Sequence, residues 1–256
     1  MSKRIALITG ATSGIGLATA RVLARHDFDL IVCGRREKRL TSLKHELQTF
    51  CNVMTLTFDV RDKQAIQKNL STLPSSWKKI DVLINNAGNA HGLSSIEDGQ
   101  LDDWDAMIDI NVKGLLYVSK AVIPGMVNRK SGHIVNIGSI AGKEVYPKGN
   151  VYCASKHAVD AINNGMRLDL NEHNVKVTAI NPGLVETEFS VVRFKGDQEK
   201  ADKVYEGMTP LKAQDIAETI LFVVTRPPHV NISDLTIFPT AQASPHIHKY
   251  VKYRYI

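Results

Sequence analysis

Seven short apolar runs recur along the chain with amphipathic stretches between them, and that alternation limits the fold more than any other feature. The runs cover residues 5–9, 30–33, 53–58, 82–85, 133–137, 175–180 and 235–238. Most are unbroken Val/Ile/Leu stretches, which marks strands buried on both faces, whereas a half-exposed strand alternates. Helical patterns fill the intervals at 16–25, 37–47 and 64–73. Alternating strand and helix units at this rhythm predict an α/β fold, a doubly wound parallel sheet of about seven strands. No repeat, low-complexity tract or internal linker interrupts it, so residues 1–256 read as one domain. A chain of this length buries about three quarters of its unfolded surface and folds without disulfides or metal.

The first strand runs directly into Gly10, Thr12, Ser13, Gly14, Ile15 and Gly16. Glycines in a first strand-to-helix turn allow a tight bend and let the backbone approach a pyrophosphate at the helix N-terminus. The spacing here is GxxxGxG and not the commoner GxGxxG. After the second strand, where an acidic residue normally meets a cofactor ribose, the chain places Arg35 and Arg36. Two guanidinium groups suit a 2′-phosphate through charge-assisted bonds, and cations at a helix start oppose its dipole unless an anion joins them. That favours NADP(H) over NAD(H). A solvated basic helix start is the plainer alternative.

Tyr152 and Lys156 stand four residues apart on a predicted helix, hence on one face. A phenol with a pKa near 10 works poorly at neutral pH, and a neighbouring ammonium would lower it. Ser139 follows the fifth strand, where its hydroxyl could hold a carbonyl oxygen beside the phenol. Alone, a Tyr-x-x-x-Lys pair is more often a surface contact.

Together with FDV at 58–60, NNAG at 85–88, Asn111, IGS at 137–139, YCASK at 152–156 and NPG at 181–183, these motifs resemble the short-chain dehydrogenase/reductase family along almost the whole chain. The resemblance implies a hydride passed between nicotinamide and a carbonyl or alcohol carbon. Tyr152 would be the acid–base residue, and Ser139 would orient the substrate oxygen. Lys156 would bind the nicotinamide ribose and lower the Tyr152 pKa, and Asn111 would hold a water linking Lys156 to solvent. Asp59 and Val60 would meet the adenine, Asn86 the adenosine-side ribose, and Pro182, Gly183, Val185 and Thr187 the nicotinamide half.

Residues 184–210 break the rhythm after the sixth strand, with a polar, charged insertion carrying Phe189, Phe194 and Tyr205. Such an insertion lies where ligands bind in open α/β sheets and predicts a mobile substrate lid with short helices. An ordinary surface excursion is the alternative. The stretches GNVYCASKHAV, VETEFSVVRFKGD and PHVNISDLTIFPTAQASP resemble the NADP-dependent 3-hydroxy acid dehydrogenases, which act on serine, allo-threonine and related β-hydroxy acids. Such a substrate needs a cation for its carboxylate. Arg193 is the candidate, with Lys195 and Lys148 behind it, and a solvated lid charge is the competing reading of Arg193.

The net charge of +6 raises the question of nucleic acid, but the cations are not gathered with aromatics in one stripe. Only the tail HIHKYVKYRYI, within a segment at 240–256, has that character. An anionic small ligand accounts for the sign equally well. No apolar run approaches the ~18 residues of a membrane span, and the first residues lack a signal-peptide pattern, so neither membrane nor nucleic acid is expected as partner. Cys33, Cys51 and Cys153 show no CxxC spacing, which fits a reducing cytoplasm, and Cys33 and Cys51 read as packing residues, while Cys153 beside Tyr152 points about 100° away along the helix. His246 and His248 lack an evident third ligand, so no metal is expected. Small residues Ala154, Ala158, Ala161 and Gly165 around the Tyr152 helix permit close helix approach, and the family resemblance suggests a homotetramer. The rival readings are a 3-oxoacyl-carrier-protein or general carbonyl reductase of the same family, and an NADP-sensing or nucleic-acid-binding protein.

Overall fold

All seven runs are strands of one parallel sheet in the computed structural model, which describes residues 3–246. They are β1 (Arg4–Thr9), β2 (Phe28–Gly34), β3 (Val53–Thr57), β4 (Ile80–Asn85), β5 (Gly132–Ile137), β6 (Val175–Pro182) and, after a two-strand excursion, β9 (Asp234–Ile237). The sheet order is β3-β2-β1-β4-β5-β6-β9. The unbroken apolar runs have a direct cause. Ala6 and Ile8 of β1 join one core with Leu30 and Val32 of β2. Ile5, Leu7 and Ile31 of the same strands join a second core on the opposite face. Successive side chains of a strand point to opposite faces, so a sheet covered on both sides needs apolar residues at every position.

The first core is closed by α1 (Gly14–Ala24), α2 (Glu37–Leu47) and α9 (Ala213–Val224), through Leu23, Leu40, Leu43, Ile216 and Ile220. The second is closed by α3 (Lys63–Ser71), α5 (Leu115–Arg129) and α6 (Asn150–Leu170), through Ile66, Leu70, Val118, Val122 and Leu170. Residue 37–47 is a helix as expected, while α1 starts two residues before its expected first residue because the glycine turn itself supplies the first turn. Asp62 caps α3 by accepting from the N–H groups of Gln64 and Ala65. A helix α4 (Leu101–Ile108) continues into α5 through a π-helical segment, Asp109–Gly114.

The chain walks outward from β1 to β3 and then returns to β4 on the other side of β1. At this reversal no crossover covers the strand ends, and a crevice opens at their C-terminal edge. The insertion at 184–210 stands over it. It contains two short helices, α7 (Glu188–Arg193) and α8 (Gln198–Lys203), as the sequence suggested. The excursion closes on itself, because β7 (Val185–Glu186) pairs in parallel with β8 (Leu211–Lys212). The Tyr205 hydroxyl pins it further, donating to the Val185 carbonyl at 2.9 Å and meeting Ser190 Oγ at 2.7 Å.

Cys33, Cys51 and Cys153 are all buried and unpaired, consistent with packing. Trp77 ends a short 3-10 turn and Trp104 lies in the first turn of α4, both packed against core residues. Among the described residues no His/Cys/Asp/Glu group could hold a metal, and His246 instead lies 3.2 Å from Glu144. His248 and the rest of the basic tail lie outside the described residues. No described helix is long and apolar enough to cross a membrane.

Candidate active site

A cleft of about 900 Å³ opens at the C-terminal edge of the sheet, and the site residues expected from sequence line it except Gly16, Asn111 and the secondary candidates Lys148 and Lys195. Gly16 acts from behind the wall. A Cβ there would collide with the Asn86 side chain and the Gly10 carbonyl. Gly10 itself has φ +67°, which L side chains rarely adopt, and a Cβ would come within 3.0 Å of the Ala87 backbone. The two strand ends of the crevice are tied by Asn86, whose side-chain amide donates to the Thr9 carbonyl at 2.9 Å. Ser13 places no side-chain cap on α1, so the first-turn N–H groups of that helix are left for an anion at the cleft wall.

Arg35 and Arg36, the cations after β2, both line the cleft and have different partners. Arg35 reaches toward Asp59, at 3.7 Å, and Asp59 is gripped more closely by Arg61 at 2.8 Å. Arg36 bonds to Thr12 Oγ1 through Nε and Nη2, at 3.0 and 2.8 Å, and to Ser13 Oγ at 2.7 Å. The anion that relieves the basic start of α2 is Glu188 of α7, 2.8 Å from Arg36 and 2.6 Å from Arg39. Neither Arg39 nor Glu188 was among the expected site residues. Arg39 follows Arg36 by about one helical turn, a signal present in the sequence. Glu188 is roughly 150 positions away, and nothing local announces the pairing.

Tyr152 sits in the first turn of α6 and Lys156 one turn later, both buried. Ser139 stands just beyond β5, its Oγ accepting from Ala141 N–H at 3.1 Å and its side chain hydrogen-bonded to Tyr152. Lys156 donates to the Ile137 carbonyl at 3.0 Å. The π segment carries Asn111 beneath the cleft wall, where its amide donates to the Asn89 carbonyl at 2.8 Å and to Ser155 Oγ at 3.0 Å. Its oxygen accepts from Asn89 N–H at 2.8 Å. Asn111 is therefore locked to the 86–89 loop. A Cβ on Gly88 would lie 3.1 Å from Asn111 Oδ1 and 3.6 Å from Lys156 Nζ, so the bare glycine leaves the way between them open.

Burial dominates the electrostatics of the tyrosine. Burial pushes the Tyr152 phenol up, with Tyr146 adding to the rise and the Ser139 hydrogen bond and Arg193 opposing it. Burial alone pushes Lys156 down to about 8. At neutral pH the phenol is thus protonated, in the form that gives a proton away.

Arg193, at the end of α7, lies in the cleft. Its guanidinium is 5.6 Å from the ring centroids of both Tyr146 and Tyr152, and Nη2 donates to the Tyr146 hydroxyl at 2.8 Å. Its carbonyl accepts from Gly92 N–H at 2.9 Å and its side-chain Nε donates to the Gly92 carbonyl at 3.2 Å, which stitches it to the loop after β4. Lys195 is paired with Asp103 at 2.9 Å, and Lys148 does not line the main cleft. Sequence reading overlooked Asn89 and His91, which line the same wall 2.6 Å from each other. Phe189 was noted only as an aromatic of the insertion, yet its ring centroid lies 5.7 Å from that of Tyr152.

The short-chain dehydrogenase family model matches residues 4–198. The chain is 49% identical over 240 residues to the NADP-dependent 3-hydroxy acid dehydrogenase YdfG of Salmonella typhi, covering 93% of this chain and 96% of that one. It is 46% identical to sulfoacetaldehyde reductase 2 of Chromohalobacter salexigens, covering 93% and 95%. Among solved structures, the closed form of serine dehydrogenase complexed with NADP+ superposes with a TM-score of 0.91 at 44% identity, covering 97% of this chain and all of that one. The chain belongs to the short-chain dehydrogenase family.

Proposed function

We propose that the protein is an NADP-dependent oxidoreductase that interconverts the hydroxyl and carbonyl at the β-carbon of a small 3-hydroxy acid of the serine, allo-threonine or 3-hydroxypropionate type. The observation that carries the substrate class is Arg193, a guanidinium inside the cleft and against the Tyr152 ring. Similarity to a 3-hydroxy acid dehydrogenase and to a sulfoacetaldehyde reductase supports it. The substrates in those two names share an anionic head group on the carbon next to the reacting one. A guanidinium suits either head group, by paired hydrogen bonds.

The residues present fit an NADP cofactor: the uncapped N-terminus of α1 suits its pyrophosphate and the Arg36–Arg39 pair its 2′-phosphate. Gly10, Thr12, Ser13, Gly14 and Ile15 would hold the pyrophosphate side. Asp59, Val60 and Asn86 would hold the adenosine side, and Pro182, Gly183, Val185, Thr187 and Lys156 the nicotinamide side. When bound, the cofactor supplies or accepts the hydride. In reduction Tyr152 gives its phenolic proton to the substrate oxygen, and in oxidation the phenolate takes the hydroxyl proton back. Ser139 holds that oxygen beside the phenol. Asn111 keeps the 86–89 loop in place and serves the proton path past Gly88 to Lys156. The 184–210 segment acts as a lid that brings Phe189 and Arg193 over the substrate.

The protein works as a cytoplasmic homo-oligomer, a tetramer by family resemblance. Exposed Leu116 and Leu168, on α5 and α6, support a self-association face.

The test is an initial-rate comparison of NADP+ and NAD+ with L-serine, L-allo-threonine, 3-hydroxypropionate and an uncharged secondary alcohol. NADP+-dependent turnover confined to the acids is expected. Arg193→Ala should lose about 10²-fold in kcat/KM on the acids and far less on the alcohol. Equal losses on both, or reduction only of carrier-linked ketoacyl groups, would overturn the substrate reading.

A further inference from the structure

The six-residue helix α7 connects two parts of the cleft that serve different ends of the reaction. Its first residue, Glu188, bridges Arg36 and Arg39. Its second, Phe189, packs against the Tyr152 ring, and its last, Arg193, lies over that ring. The N-cap Thr187 faces the glycine turn, with room there for no more than a hydrogen on Gly14, where a Cβ would lie 3.3 Å from the threonine side chain.

Arg36 has few donors to spare. Nε and Nη2 are used on Thr12 and Ser13, and Nη1 is used on Glu188. Arg39 meets Glu188 at 2.6 Å and makes only a long 3.4 Å bond to the Thr12 carbonyl besides. Glu188 is the carboxylate at this cation pair, and the arginines hold it below its usual pKa range, so it is ionised at neutral pH. A 2′-phosphate taken by Arg36 and Arg39 would need the donors that the carboxylate holds, and the two anions would repel each other.

We infer that Glu188 is a built-in stand-in for the 2′-phosphate, which NADP(H), but not NAD(H), displaces, freeing the start of α7 from the Arg36–Arg39 pair. The inference rests on the NADP reading above and adds the residue that reports cofactor identity to Phe189 and Arg193. An adenosine with a free 2′-hydroxyl leaves the Glu188 pairs in place and α7 anchored. A purely local role for Glu188, as an acidic residue favoured in the first turn of a helix, makes a different prediction: its removal would loosen α7 without changing the response to a 2′-phosphate.

The probes are adenosine 2′,5′-bisphosphate, 5′-AMP, NADP+ and NAD+, with affinities measured by titration calorimetry on the wild-type protein and Glu188→Gln. All partners are half-exposed, so the effect is moderate. The variant should bind the bisphosphate and NADP+ about three- to tenfold more tightly, with 5′-AMP and NAD+ unchanged. Hydrogen exchange on the wild-type protein gives a second readout that needs no variant. Amides of 188–193 should exchange faster with the bisphosphate bound than with 5′-AMP. Unchanged or weaker bisphosphate binding by Glu188→Gln, or equal exchange with the two nucleotides, would overturn the inference. Failure of the NADP reading would look different: the wild-type protein would bind NAD+ and 5′-AMP as tightly as their 2′-phosphorylated counterparts.

Discussion

His133 carries a large electrostatic cost outside the cleft. It lies 1% exposed in β5, where one ring nitrogen meets Thr178 Oγ1 at 2.8 Å and Nδ1 has no partner. Burial, with Lys176 and Arg4 adding to it, pushes its pKa down to about 3. The unfolded chain takes up a proton near pH 6.5 and the folded chain does not until about pH 3. The stability that this neutral ring contributes is therefore present above pH 6.5 and lost as pH falls through that window, by at most ~1.4 kcal/mol per pH unit. Urea melts at pH 7 and pH 5 should show His133→Gln losing about 2 kcal/mol less than the wild-type protein between the two. An equal loss would mean that His133 is protonated in the fold. Lys156 works in the opposite range, since its folded pKa of about 8 lies below its unfolded value of 10.5. The cost of its buried charge is full below pH 8 and fades as pH rises toward 10.5.

The element most closely tied to the chemistry is the π segment Asp109–Gly114 between α4 and α5. A regular helix would rotate Asn111 away from its three partners on Asn89 and Ser155, and the wider turn keeps it there. Gly114 at its end packs against Val60, where a Cβ would lie 2.7 Å from a Val60 methyl. The bulge therefore also seats the segment against the cleft wall at Val60. Filling the gap between Asn111 and Lys156 tests the proton path directly. Gly88→Ala should lower kcat by about 10- to 10²-fold while leaving the binding of NADP+ and the melting temperature near their wild-type values. An alanine variant with unchanged kcat would show that protons leave by another route. Alternation of the apolar runs made the seven strands legible, and the glycine turn together with the motifs shared with the family made the candidate site legible. The π segment was not, because a single extra residue in a helical turn leaves the apolar pattern nearly unaltered.

For the whole molecule, two sheet faces are covered by helices from this chain, yet Leu168 on α6 remains 70% exposed and Leu116 on α5 41%. A Cβ on Gly165 of α6 would meet nothing within 4 Å, so small residues leave this face flat enough for another helix to approach. The proposed oligomer covers these residues. Light scattering should show the wild-type protein as an oligomer and Leu168→Glu shifted to a smaller species, since the charge would be buried without a partner. A wild-type monomer, or a variant of unchanged mass, would remove this face from the interface.

Sequence alone determined the parallel sheet and its glycine turn, because each is written in local spacing, in unbroken apolar runs and in GxxxGxG, whereas Ser139, Tyr152 and Lys156 stood out only together, through the family resemblance. The basic start of α2 was equally visible. What satisfies it was not. Glu188 reaches Arg36 and Arg39 only because the excursion after β6 folds back over the C-terminal ends of the strands. Burial likewise decided the protonation of Tyr152 and Lys156, which neighbours along the chain cannot set. Desolvation depends on what every packed element removes from water, and only the tertiary structure contains that sum.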